Sequence, residues 1–201
     1  MNKVFSYARI AGICLPVIMI LQIALSLTKT NNPYLNILVG FLVDALWIVF
    51  FTLLIRASAK RSPVVAPSWI GIAAFAMAFL STCISSYGSS LIIAESNNWE
   101  TIGNVFAVSS VMHYAYVACI AVAFIWLSKY FPKGSILKVM CFIIAIVPIL
   151  LLVYNLAVHP WKWEDEHMRN TITAITSALW PMLIFIPEAI FLFAFSKLKK
   201  S

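Results

Sequence analysis

Three ionisable side chains, Asp44, His113 and Glu188, lie inside long apolar stretches of this 201-residue chain, and they are the groups best placed to do chemistry. A charge at mid-bilayer costs about 2.5–3.5 kcal/mol on insertion scales, so such residues face a bundle interior or a water-filled cavity. Removal from water favours the neutral form of each. At least one acid is therefore expected to hold a proton at neutral pH, or to share one with His113. Groups of this kind can relay protons, hold a ligand, or simply tie helices together by hydrogen bonds.

Helical spacing extends each group into a face. Asp44 shares its face with Asn36, Gly40 and Trp47. His113 shares one with Ser109 and Tyr116, and Ser110 adjoins it. Glu188 follows Thr173, Ser177, Trp180 and Ile184, while Tyr154 and Asn155 end a neighbouring apolar segment. The expected intramembrane polar site is thus Asp44, His113, Glu188, Ser109, Tyr116 and Asn155. Glu188 sits about six residues deeper than the other two, roughly 9 Å at the helical rise. All three can line one path, but they cannot meet at a point without a helix shift.

Other chemistry is weakly supported. Ser109 and His113 are i,i+4 neighbours, an arrangement that suits a nucleophile and its base but is also ordinary helical spacing. No phosphate loop, H-E-x-x-H or G-x-S-x-G signature occurs. His159 and His167, with Glu164, Asp165 and Glu166, suggest zinc by residue type, yet the two histidines are eight apart with Pro160 between them. No metal site and no cofactor is expected. Cys14, Cys83, Cys119 and Cys141 lie in separate apolar segments and read as small buried hydrophobes.

The elements that must position these groups follow from composition. The chain is 63% hydrophobic and 10% charged, against roughly 45–50% and about 25% in soluble domains. Six apolar segments, near 9–28, 34–55, 69–94, 103–128, 136–158 and 172–196, each approach or exceed the roughly 20 residues that cross a bilayer as a helix. They lack the alternation of barrel strands. The run from Ile10 to Leu27 is also longer than the apolar core of a secretory leader, which is about 7–15 residues. The expected fold is an all-α polytopic membrane protein, a single domain of about six transmembrane helices.

Basic residues orient it. Eleven of the fourteen Lys and Arg lie on one side: Lys3, Arg9, Arg56, Lys60, Arg61, Lys129, Lys133, Lys138, Lys197, Lys199 and Lys200. Positive charge is retained on the cytoplasmic side, so both ends are expected inside. Tyr34, Trp99, Trp161 and Trp163 mark the outer boundary, with Trp126 and Tyr130 at the inner one. The stretch from His159 to Asn170 reads as a short amphipathic cap on the outer surface.

Small residues recur at intervals of three and four through Gly71, Ala74, Ala78, Ser81, Thr82, Ser85, Gly88 and Ser89. This stripe suits close helix contact within the chain, a homo-oligomer contact or a pore lining. Ala8-x-x-x-Gly12 is a weaker signal of the same kind. Pro16, Pro148, Pro181 and Pro187 sit inside helical segments, and Pro187 places loosened backbone beside Glu188.

These features rank three functions. First is a non-enzymatic, oligomeric membrane subunit, acting as a channel-like or sensing component or as an anchor for a cytoplasmic effector. Arg56, Lys60, Arg61, Lys129 and Lys133 would contact that partner or anionic lipid headgroups. Second is a compact proton-coupled transporter using Asp44, His113 and Glu188. Third is an intramembrane enzyme centred on His113. Nucleic acid is not an expected partner, because the basic residues are spread over four short segments. The absence of any Asn-x-Ser/Thr acceptor favours a bacterial inner membrane.

Overall fold

A computed structural model describes residues 2–27, 33–59, 62–94, 98–157 and 166–198. The chain forms six helices: α1 (Asn2–Leu27), α2 (Pro33–Ala57), α3 (Val65–Ile93), α4 (Trp99–Ser128), α5 (Ile136–Ala157) and α6 (Glu166–Ser196). Each is long and apolar enough to cross a membrane. Backbone polar groups have no water to bond in lipid, and a helix satisfies them within itself. The outward faces carry Ile13, Val17, Ile20, Val111 and Leu150, all exposed. In water that surface would be untenable; in hydrocarbon it is the required coat. The chain is an integral membrane protein whose skin contacts the lipid bilayer.

The helices pack as a ring in chain order. Each lies against its predecessor, and α6 closes on α1; among the described residues no other pair brings Cα atoms within 8 Å. Short connections make successive helices antiparallel. With an even number of crossings the two ends share a face, and Phe5 and Phe195 meet there with ring centroids 5.6 Å apart. The α2–α3 and α4–α5 turns lie on that same face. The second of these needs Gly134, whose φ of +78° is a conformation that side chains disfavour.

Three seams hold the ring. Between α1 and α6, Ala8, Ala11 and Leu15 are fully buried, and a Cβ added at Gly12 would lie 3.1 Å from the Phe193 backbone nitrogen and 3.3 Å from the Ala189 carbonyl oxygen. A side chain there would require the α6 backbone to give by a few tenths of an ångström, so the weak Ala8-x-x-x-Gly12 signal marks the closure of the ring. Between α2 and α3, a Cβ at Gly71 would meet the Phe51 ring at 2.5 Å. Between α3 and α4, Ser81 Oγ donates to the Ser109 carbonyl oxygen at 2.9 Å, and Ser109 Oγ donates to the Ser81 carbonyl oxygen at 3.0 Å. The small-residue stripe of α3 is thus engaged within the chain at Gly71, Ala74 and Ser81.

Two boundaries differ from the hydropathy reading. Helix α1 begins at Asn2, well before the apolar run, because its first turns pack Val4 and Ala8 into the core. Helix α6 begins at Glu166, so the last residues of the expected outer cap belong to that helix instead. Residues 158–165, with His159, Trp161, Trp163, Glu164 and Asp165, lie outside the described residues.

Candidate functional site

A ring of six helices, with neighbours roughly 8–10 Å apart, leaves a centre about as far from every axis, and only large side chains can fill it. On the basic side they do. Trp47 stacks on Phe75 (centroids 5.4 Å, planes 4° apart) and meets Phe124 edge-on at 5.4 Å. Phe191 lies 6.0 Å from Trp47 and 5.6 Å from Phe124. Phe50 and Phe195 continue the contact toward the termini at 5.2 Å, and Phe131 reaches in from the α4–α5 turn to within 6.0 Å of Phe191. Rings from α2, α3, α4, α6 and that turn therefore form one aromatic plug. Trp47, Phe50, Phe124 and Phe191 have no exposed surface.

The two acids lie on this plug. Glu188, one turn before Phe191 on α6, is 2% exposed, and its Oε2 accepts a hydrogen bond from Trp47 Nε1 at 2.9 Å. Asp44, one turn before Trp47 on α2, is 7% exposed and makes no hydrogen bond or ion pair with any described residue. Helices α2 and α6 do not touch through their backbones, so the indole joins the two sides across the centre of the ring. The expected difference in depth between the acids is spanned by Trp47, which lies about 4.5 Å below Asp44 along the helix. Tyr116 of α4 completes the group. It is half-buried, and its ring is edge-on to Phe75 at 5.9 Å.

His113 is different. Its ring lies 5.8 Å from Tyr116, and helical spacing puts it on the line of Ile102, Ser109, Val117, Ile120 and Phe124, all of them buried. Yet His113 itself is exposed. Its exposure interrupts the buried stripe at that level.

The polar residues expected together are thus only partly gathered. Glu188 bonds Trp47, one turn from Asp44, while Tyr116 reaches the same plug through Phe75 and has His113 beside it. Ser109 is held by Ser81 in the α3–α4 seam, its hydroxyl committed there, so it offers His113 no free nucleophile. Asn155 lies on α5, but its side chain is outside the described residues. Trp47 is the member that sequence reasoning placed on the right face without a role. An apolar-looking residue one turn from an acid was the available signal, but its partner lies far along the chain on α6.

At the basic face Arg56, Lys129 and Lys133 are exposed, while Lys60 and Arg61 lie outside the described residues. Among the described residues no three His, Cys, Asp or Glu side chains cluster as metal ligands. The four cysteines are unpaired with one another. No protein-family model, curated protein or solved structure matches this chain.

Proposed function

We propose that the protein is a compact proton-coupled transporter in which Asp44 and Glu188 exchange protons and His113 lines the route to them. The observation that carries this reading is the Trp47–Glu188 hydrogen bond, which brings Glu188 of α6 to a residue one turn from Asp44 on α2. The acids come from helices that share no backbone contact, and these helices are joined by the indole hydrogen bond and by ring contacts of Trp47 and Phe50 with Phe191 and Phe195. Packing alone would be better served by apolar residues, since burying ionisable groups costs more than their contacts return. An aromatic plug closes one side of the acids, and on the other the exposed His113 marks the route assigned to protons. This is half of the alternating access a carrier needs. The positive-inside rule makes the plugged, basic side cytoplasmic; the His113 side then faces out, and we assign the chain to a bacterial inner membrane.

The test uses proteoliposomes holding an internal pH dye, challenged with a panel of small cations, amino acids and sugars. At least one solute should drive proton movement that Asp44→Asn and Glu188→Gln each abolish. Proton movement indifferent to both substitutions, or none across the panel, overturns the reading.

A second reading rests on the exposed Arg56, Lys129 and Lys133. These basic side chains, with Lys60 and Arg61 beside them in sequence, suit an acidic cytoplasmic partner, the protein then being a membrane subunit that anchors it, also as a homo-oligomer. A cytoplasmic protein that co-purifies in mild detergent and is lost when Arg56, Lys129 and Lys133 become Glu would support it. Retention by the charge-reversed protein would reject it.

A further inference from the structure

We propose that Asp44 and Glu188 form a binding site for a monovalent organic cation, taken up in exchange for a proton. The inference rests on the transporter reading above and names its substrate class. Asp44 is more than nine-tenths buried, lies on the inward face of α2 and has no hydrogen-bond partner among the described residues. Glu188 has one, the Trp47 indole. An isolated buried carboxylate is strongly disfavoured, and two close together are worse. Native interiors meet that cost with a Lys or Arg. Here the titratable groups turned toward the pair are Tyr116 and His113 from α4. Tyr7 of α1 donates instead to the Leu46 carbonyl oxygen at 3.0 Å, and Cys141 of α5 is buried toward the basic side. Among the described residues no Lys or Arg faces either acid. Among the described residues this leaves protons or a bound cation to compensate the charge.

The walls select the kind of cation. A divalent metal asks for about six or more oxygen ligands. The site offers two carboxyls and the Tyr116 hydroxyl, set among the rings of Tyr116, Phe75 and Trp47. A weakly hydrated ammonium suits that setting: one carboxylate neutralises it and the half-buried Tyr116 ring attracts it. The exchange balances. A protonated acid loses its O–H proton to water, and the carboxylate that remains holds the cation, so the site's net charge is unchanged.

Tetramethylammonium is the discriminating probe, because it has no N–H and cannot itself carry a proton. Added as chloride to weakly buffered wild-type protein in detergent, it should bind by calorimetry and release one proton per cation to an indicator dye, as methylammonium should also bind. Sodium chloride at equal concentration should do neither. Asp44→Asn should abolish the release, and Glu188→Gln should weaken binding about thirtyfold or more, as loss of one partner of a buried charge pair does. The wild-type measurement stands even if a variant fails to fold. Binding without proton release, equal effects from sodium, or no binding of either ammonium ion overturns the proposal. If a neutral or anionic solute then drives proton movement that needs Asp44 and Glu188 in proteoliposomes, the transporter reading survives the loss. If none does, both fall.

Discussion

The two halves of the ring's interior are built on opposite plans. Toward the basic face, rings from four helices and a turn interlock until Trp47, Phe50, Phe124 and Phe191 have no exposed surface. Toward the other face, the centre of the α4 stripe holds His113, and it is exposed. In lipid there is little hydrophobic force between helices, so tight packing comes from shape and close approach. The closed half has both. The open half has polar side chains, whose usefulness depends on something reaching them. Asp44 and Glu188 sit at the boundary between the plans, and the contrast between the halves gives the acids a direction.

Substitutions at that boundary should have the largest effects. Trp47→Ala removes the stacked ring and the donor to Glu188 together, and should cost about 3–5 kcal/mol in a detergent melt. Trp47→Phe sharpens the comparison by keeping a ring in the plug while removing the N–H. A loss of about 1–3 kcal/mol there would isolate the unpaired carboxyl from the cavity, and no loss at all would mean that the bond is incidental. Next come the seams. Gly12→Ala forces α1 away from the α6 backbone and should destabilise by about 1–3 kcal/mol. Gly103→Ala, where a Cβ would meet nothing within 4 Å, should be neutral or stabilising by up to about 1 kcal/mol. Ser81→Ala should cost about 0.6–1.7 kcal/mol in a detergent melt, and adding Ser109→Ala should cost little more, since both remove the same clamp.

The smallest effect on stability is expected at His113, where the comparison is read by access instead. In a background lacking the four native cysteines, His113→Cys should react with a membrane-impermeant thiol reagent. Phe124→Cys, three turns further along the same stripe, should not. Equal reaction at both would dissolve the distinction between open and closed halves.

The six crossings were legible because an apolar run of twenty or so residues has few other uses. The basic face was legible for a similar reason, charge being read residue by residue. The ring order was not, because any helix with a small-residue stripe can pack on several others. Gly12 shows the limit: its four-residue spacing from Ala8 is common in apolar segments, and only the backbone of Phe193 at 3.1 Å separates it from chance. Depth alone set Glu188 about six residues below Asp44, which allowed the two to line one path but argued against their meeting at a point. Trp47 could not be assigned as their link, since hydrogen bonding across a ring depends on which helices stand opposite. Ser109 misled for the converse reason: its i,i+4 neighbour was visible in sequence, while Ser81, its actual partner, lies on another helix.

The ring's closure by its first and sixth helices bears on how the molecule is born. Helices two to five each emerge beside a finished predecessor, but the first leaves the insertion machinery with one flank bare and keeps it bare until synthesis of the sixth. That last arrival brings the covering surface and the second carboxyl in the same stroke. A nascent chain stalled before it would hold a lone acid beside an open wall, which gives the cell's quality control a simple mark by which to tell the incomplete product from the complete one.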